Sequence, residues 1–398
     1  MIKIERENLD FLAKRHYEEY FVKKGFLKRL EKIKDNEKDL MQKRFFESLF
    51  NQIEDIIKGR PIRLNEIIRN LSADYPVLIK KIEKYNFWKK KLREAIEKQK
   101  KLTISINKGS SNLEILMRRK SSIDTTINIA NSHVQQTKKF LDKIHKIFNY
   151  NNFCEHYNAT GEGERIWGAY ELVKQLNVGV CPYCNRQFIT VSEPNKDDGG
   201  RTRPQLDHFY SKSNYPFLSI SFFNLIPCCY VCNSNLKRNQ EFSIDTHIHP
   251  YENGFEDMLQ FTVKFRSEKA KEDYLQVWSS NTEMFSIDFK INALEKQQYN
   301  VKEFRSLYNK IKNNKQTFKL KSLYNTHIDY VGEIIAKSIE YNDDRIESLC
   351  KDFPELFSRK EDAIRVVYSN YVEMGKMDKR VLAKLTRDIT KEFGIKYT

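Results

Sequence analysis

The fold of this chain is decided by the stretch that runs from Cys181-Pro-Tyr-Cys184, through Gln205-Leu-Asp-His-Phe209, to Cys229-Tyr-Val-Cys232. Each Cys-x2-Cys pair is typical of a knuckle, a tight turn that presents two sulfur atoms on one side. Two knuckles supply four thiolates, which is a ligand set that tetrahedral zinc prefers. Because 44 residues separate the pairs, we expect the intervening segment to be a structural insert held between the knuckles. The sequence therefore predicts a structural Zn²⁺ bound by Cys181, Cys184, Cys229 and Cys232.

The other three cysteines do not fit this ligand pattern. Cys228 directly precedes the second knuckle, but Cys229 is the residue that keeps the two-residue spacing to Cys232. Cys154 and Cys350 have no partner nearby in sequence and are interpreted as ordinary small apolar residues. Seven cysteines is an odd number, and five of them lie within 181–232. This clustering indicates a metal site rather than a disulfide framework, and it favours a reducing, cytoplasmic setting.

The dipeptide Asp207-His208 lies between the knuckles. A carboxylate there could bind a hard divalent ion, and a neutral imidazole could take a proton from an attacking water. Neighbouring strand residues face opposite sides of a sheet, so both side chains can serve one site only if the strand bends near Phe209. Asn224 could orient the imidazole, and Asn233 could complete the coordination of the ion. An isolated Asp-His pair is usually solvated, so the flanking cysteines carry this interpretation.

The same residues carry a resemblance to a known family. The order Cys-x2-Cys, Asp-His, Asn-Leu-Ile-Pro and Cys-x2-Cys-Asn resembles HNH endonucleases, whose core is a ββα-metal motif. The longer strings Leu206-Asp-His-Phe-Tyr210, Ser221-Phe-Phe-Asn-Leu-Ile-Pro227 and His249-Pro-Tyr251 resemble more narrowly the PtuB-type nucleases of Septu and related retron anti-phage systems. The resemblance covers about residues 165–255. It implies phosphodiester hydrolysis in a bacterial defence system.

The resemblance also implies roles for individual residues. His208 matches the general base, Asn224 the middle asparagine, and Asn233 the position of the last histidine in many members. Asp207 matches the other ligand of a catalytic Mg²⁺ or Mn²⁺. Further residues receive weaker assignments. His249 lies in the family's His-Pro-Tyr stretch. Three cations near the motifs could hold phosphates or could be ordinary solvated charges, namely Lys212, Lys237 and Arg238.

The charge distribution separates the chain into regions. Residues 1–150 hold 35 Lys and Arg against 20 Asp and Glu, which accounts for nearly all of the net charge of +16. Helical spacing of apolar residues predicts a basic, mainly helical region over 1–150, including one long basic helix over Lys81–Lys101. Residues 151–255 are expected to form the nuclease core, and 256–398 a mainly helical C-terminal region with a strand pair at 259–265 and 275–278. The predicted fold class is therefore α+β.

The basic region allows two interpretations. It could attract a nucleic-acid backbone, with aromatic residues such as Trp88 stacking on bases. It could equally be a solvated lysine-rich surface, or the docking face of a protein partner. No run of about 18 apolar residues is present in the sequence, so no membrane span is expected.

Three functions follow from these observations. The first is a metal-dependent endonuclease acting on DNA, and the second is the same fold cleaving RNA such as tRNA. The third is a zinc-organised binding module that cuts nothing, although such a module would have no use for His208 and the two asparagines. The sequence contains no Walker A motif. By resemblance to Septu, we expect the restraining partner to be a separate ATPase of the ABC or SMC type.

Overall fold

The part of the chain that the structure describes combines many helices with two small antiparallel sheets. The computed structural model describes residues 1–108, 112–155, 166–192, 202–266 and 284–397. The predicted α+β class is confirmed at this level, because helices dominate and the strands form two-stranded sheets.

The N-terminal half is helical, as the apolar spacing predicts. Pro61 and Pro76 stand at the first positions of two successive helices, where a missing backbone N–H costs nothing. The predicted basic helix is longer than its charged stretch, since it starts at Pro76 and continues to Asn107. The helices are α1 (Leu9–Arg15), α2 (Phe26–Asn36), α3 (Leu40–Asn51), α4 (Ile53–Lys58), α5 (Pro61–Asp74), α6 (Pro76–Asn107), α7 (Leu113–Ile147), α8 (Tyr150–Glu155) and α9 (Ala169–Leu176), with a π-helical segment at His16–Val22.

The C-terminal half contains the strands and a second set of helices. Strand β1 (Gln205–His208) pairs with β2 (Leu225–Cys228), and β3 (Leu259–Phe265) pairs with β4 (Phe285–Ile291). A π-helical segment at Val231–Lys237, here called the knuckle helix, follows β2. The later helices are α10 (Ala293–Lys296), α11 (Val301–Thr317), α12 (Leu320–Tyr324), α13 (Ile328–Glu340), α14 (Asp343–Asp352), α15 (Lys360–Tyr368) and α16 (Ala383–Glu392).

The chain divides into two compact units rather than three consecutive regions. The helical unit contains Ala13–Glu155 together with Tyr210–Asn224, and the metal unit contains Met1–Leu12, His156–Phe209 and Leu225–Thr398. The expected boundary near 150 is close to the division after Glu155, whereas no division falls at 255. Residues on the two sides of 255 belong to one unit and are bonded to each other, as the hydrogen bond from Ile248 N to Asn314 Oδ1 (2.8 Å) shows.

The loop at 210–224 belongs to the helical unit although it connects β1 to β2. Phe217 is fully buried, and its ring meets the edge of Phe45 on α3. The Nε2 atom of His16 lies 2.7 Å from the Ile220 carbonyl oxygen, and Ser219 donates to the Phe148 carbonyl. The apolar side chains of Phe217, Leu218 and Ile220 in the loop are fully buried. Burial contributes about 1.5–3 kcal/mol for each and explains why the loop folds with the helices.

The strand predicted at 259–265 is confirmed. Its partner in the structure is β4 at Phe285–Ile291, whereas the predicted partner at 275–278 lies outside the described residues. Within the described part of the chain, no helix is both long enough and apolar enough to cross a bilayer.

Candidate metal centre and the strand pair beside it

The four predicted zinc ligands lie together in the metal unit. The sulfur atoms of Cys181, Cys184, Cys229 and Cys232 all lie within 4.8 Å of one another, and all four residues are buried. The Cys184 and Cys229 sulfurs are 3.9 Å apart. A zinc ion with bonds of about 2.3 Å to four sulfurs requires sulfur–sulfur edges of roughly 3.8 Å. The donor set and its spacing therefore fit a tetrahedral zinc ion.

The four thiols also lie close enough to change one another's pKa. Hydrogen bonds from Cys181, Cys184 and Cys232 lower the pKa of Cys229, whereas burial raises the pKa of Cys181. A dication at the centre would allow all four to be thiolates. The neighbouring Cys228 stays outside the group, as the spacing predicts, and burial raises the pKa of its thiol.

The first knuckle is fastened to the C-terminal helices. Asn185, directly after Cys184, has a left-handed backbone with φ of 51°. This turn lets its carbonyl accept from Leu382 N (2.6 Å) and its amide group donate to Met377 O (2.9 Å). The Tyr324 hydroxyl donates to the Cys184 carbonyl at 2.6 Å. An ion bound by the four cysteines would therefore also stabilise the contacts of this knuckle with helices that are about 140–200 residues away in sequence.

The Asp-His pair lies on β1, and no bend intervenes between the two residues. Asp207 stands opposite Ile226 and His208 opposite Leu225 in a regular antiparallel register. Adjacent residues of a strand face opposite sides. Accordingly Asp207 is buried and His208 is half-buried. The expected bend at Phe209 lies after the strand and does not bring the two side chains to one face.

The Asp207 carboxylate is fully occupied by protein groups. The Lys237 ammonium lies 2.8 Å from both carboxylate oxygens, and the Tyr183 hydroxyl donates to Oδ2 at 2.7 Å. Burial, and then the Asp207 charge, raises the pKa of Tyr183 well above its usual value, so this hydroxyl stays a donor. A divalent ion at Asp207 does not fit this arrangement, because it would have to displace Lys237.

Lys237 requires a correction. The sequence offers it as a phosphate contact, but the side chain is only 3% exposed, and its ammonium also donates to the His208 carbonyl oxygen. Lys237 is therefore a buried structural cation. The sequence gives no sign of this pairing. The other partner of Asp207, Tyr183, could have been suspected only from its position between the two cysteines of the first knuckle.

The knuckle helix packs along the face of β1 that carries Asp207. Asn233 Nδ2 donates to Gln205 Oε1 at 2.8 Å, and Ser234 Oγ donates to the same oxygen at 2.9 Å. Gln205 and Asp207 are two residues apart and thus share a face of the strand. Asn233 and Lys237, four residues apart, share a face of the helix. The structure thereby places Asn233 on the same side of β1 as Asp207.

Asn224 lies in the helical unit, where it clamps the 210–224 loop. Its Oδ1 accepts from Tyr210 N at 2.7 Å, and its Nδ2 donates to Tyr210 O at 3.1 Å and to Leu218 O at 2.9 Å. The residue is completely buried. These bonds give Asn224 a structural role. A role in orienting His208 stays a prediction.

The remaining candidates have different surroundings. His249 is buried, packs on the Phe209 ring with centroids 4.1 Å apart, and accepts from Tyr251 N through Nδ1. Arg238 is exposed and has a positive φ of 50° directly after the knuckle helix. Lys212 is in the helical unit, with its ammonium 4.5 Å from the centroid of the Tyr150 ring.

Comparison of the chain with models of protein families, with curated proteins and with solved structures finds no match.

Proposed function

We propose that this chain is a metal-dependent endonuclease of the HNH type that hydrolyses phosphodiester bonds in DNA. The observation that carries the proposal is the order of elements beside the four cysteines. Strand β1 ends at His208, β2 runs antiparallel to it, and the knuckle helix packs back on β1 through Asn233 and Lys237. This ββα order, with a histidine at the strand end, is what the resemblance to HNH nucleases implies.

The proposed role of His208 is that of a general base. A neutral imidazole at the half-buried end of β1 can accept a proton from a water molecule that attacks phosphorus. The backbone of His208 is held by the Lys237 ammonium, which fixes the position of the residue. The four cysteines have no part in the chemistry and hold β2 and the knuckle helix in place.

The proposed catalytic ion, Mg²⁺ or Mn²⁺, would stabilise the charge that develops on the phosphate. Asp207 and Asn233 lie on the side of β1 where it would bind. Because Lys237 holds both oxygens of Asp207, the present arrangement does not accept the ion. The proposal therefore requires two rearrangements. The Asp207–Lys237 pair must open before the ion binds, and the end of β1 must bend so that His208 reaches the side that carries Asp207, because adjacent strand residues face opposite sides.

This same pair favours a second candidate function. In a zinc-organised binding module that does not cut, Asp207 and Lys237 would simply be a permanent internal ion pair. A buried pair with a third hydrogen bond from Tyr183 is well suited to that structural role. The two candidates differ in one property, which is hydrolysis that depends on both His208 and an added divalent ion.

A cleavage experiment separates these functions. The purified chain is incubated with plasmid DNA, single-stranded DNA and total RNA, with Mg²⁺, with Mn²⁺, or with EDTA. The nuclease proposal expects divalent-dependent cleavage that disappears in His208→Ala. Cleavage of RNA alone would assign the substrate to RNA such as tRNA. Binding without cleavage under every condition would assign the binding module.

We also propose a protein partner, on the basis of the Septu resemblance. A nuclease in a host cell needs restraint, and an ATPase of the ABC or SMC type could supply it. Co-expression of this chain with such an ATPase encoded next to it, followed by affinity purification of either protein, tests the proposal. Separate elution of the two proteins at low salt would contradict it.

A further inference from the structure

The helical unit contains a second group of chemically active side chains, away from the four cysteines in sequence. They line a cavity of about 450 Å³. Its walls come from α6, from the C-terminal turn of α7 with the residues after it, and from the 210–224 loop. The side chains that line the cavity and matter here are Tyr85, Lys89, His145, Tyr150, Lys212 and Ser213.

The described lining of this cavity carries positively charged side chains and no negatively charged ones. Lys89 and Lys212 supply two ammonium groups and His145 an imidazole, and no residue of the described lining is acidic. Burial, and then the Lys89 charge, lowers the pKa of His145, with Asp142 acting in the opposite direction and Lys212 in the same one. Burial also lowers the pKa of Lys212. A bound anion would relieve this crowding of cations.

Each lysine is paired with an aromatic ring. The Lys212 ammonium lies 4.5 Å from the Tyr150 ring centroid, and the Lys89 ammonium lies 5.3 Å from that of Tyr85. Tyrosine faces attract cations and also stack on nucleobases. Leu141 and Phe148, both buried, give the cavity an apolar floor. The lining therefore offers cations for a phosphate and rings for a flat, apolar group.

The walls are held in place before any ligand arrives. Asn86 on α6 donates to Ser213 O at 2.5 Å and to Asn214 Oδ1 at 3.0 Å. Ser219 donates to the Phe148 carbonyl at 2.7 Å. These bonds fix the loop that carries Lys212 against α6 and against the end of α7. A preformed cavity of this size lies in the range of about 300–1,000 Å³ that is usual for small-ligand sites.

We infer that this cavity binds a nucleotide, with its phosphate at Lys89, His145 and Lys212 and its base against Tyr85 or Tyr150. The phosphate and base could belong to a free nucleotide or to one residue of a single strand. The inference does not rest on the nuclease proposal, because it concerns binding in the helical unit and requires no cleavage.

The test measures binding in the His208→Ala background without added divalent ions, so that hydrolysis does not interfere. A short fluorescein-labelled oligothymidylate is titrated with protein by fluorescence anisotropy, and thymidine monophosphate is added as a competitor. Lys89→Gln, Lys212→Gln and Tyr150→Leu should each weaken binding about tenfold. Displacement of the oligonucleotide by the monophosphate would identify a free nucleotide as a ligand, whereas binding of the oligonucleotide alone would identify a strand.

Lys90→Gln is the matched control. Lys90 is adjacent to Lys89 on α6, its side chain is 75% exposed, and it does not line the cavity. This variant should change the affinity by less than about twofold. The inference fails if Lys90→Gln weakens binding as much as Lys89→Gln, since general charge would then explain the result. It also fails if the wild-type chain binds neither probe, or if the three cavity variants bind like the wild type.

Discussion

The ammonium of Lys237 lies 2.8 Å from both carboxylate oxygens of Asp207, and both side chains are buried in the metal unit. A buried pair of this kind is expensive to break from one side, because the remaining charge has no partner. Its presence also decides whether Asp207 is available to a divalent ion. The pair is thus relevant to stability and to the proposed activity.

Removal of one partner should therefore destabilise the protein strongly. Lys237→Met and Asp207→Asn are each expected to lower the free energy of unfolding by about 3–5 kcal/mol. The double variant should lose less than the sum, because it leaves no unpaired buried charge. Urea unfolding of the wild type, the two single variants and the double variant gives the coupling energy directly. Strict additivity would show that the two groups do not interact in solution.

The cluster of four cysteines gives a second prediction. The purified chain should contain one zinc ion, and Cys184→Ser should lower the free energy of unfolding by more than about 4 kcal/mol, because closed thiolate sites contribute directly to folding. Elemental analysis and thermal unfolding measure the two effects. Cys350→Ser is the control, since Cys350 lies outside the cluster and should change stability by less than about 1 kcal/mol. A folded, zinc-free preparation would contradict the prediction.

His208→Ala should abolish cleavage without altering the fold. The residue is half-buried at the end of a short strand, so truncation should change the free energy of unfolding by less than about 1 kcal/mol. Zinc content should remain the same. His133→Ala, at an exposed histidine of α7, is the control and should retain full activity. Cleavage by His208→Ala at more than a few per cent of the wild-type rate would exclude His208 as the base.

The structure shows where short-range sequence patterns succeed. The ligand set Cys181, Cys184, Cys229 and Cys232 follows from spacing within each knuckle, which is a local property. The partner of Asp207 does not, because Lys237 is 30 residues further along, and a lysine at a helix end usually lies in solvent. Membership of the 210–224 loop in the helical unit likewise depends on distant contacts, such as that of Phe217 with Phe45.

Asn224 provides a prediction that distinguishes a structural from a chemical role. Asn224→Ala removes three buried hydrogen bonds and leaves the Tyr210 backbone groups without these partners. We expect a loss of about 2–4 kcal/mol in the free energy of unfolding. Asn235→Ala, at an exposed position of the knuckle helix, should have almost no effect. Unchanged stability in Asn224→Ala, together with lost cleavage, would show instead that the residue acts in the chemistry.

The last prediction concerns the stability of the protein in acid. His16 is fully buried, with its Nε2 atom against the Ile220 carbonyl oxygen, and burial lowers its pKa from 6.5 to about 4. The unfolded chain therefore binds a proton below about pH 6.5 that the folded chain does not accept until about pH 4. The contribution of His16 to stability is fully present above pH 6.5 and falls as the pH drops towards 4, by about 3 kcal/mol for this residue.

Urea unfolding at pH 7 and pH 4.5 should show this loss. In His16→Gln the loss of stability between pH 7 and pH 4.5 should be smaller by most of the roughly 3 kcal/mol, an amount of about two pKa units. Burial also lowers the pKa of His247 to about 4, so His247 should maintain part of the pH dependence. An equal pH dependence in the wild type and in His16→Gln would show that His16 is already protonated, or accessible to water, in the folded protein.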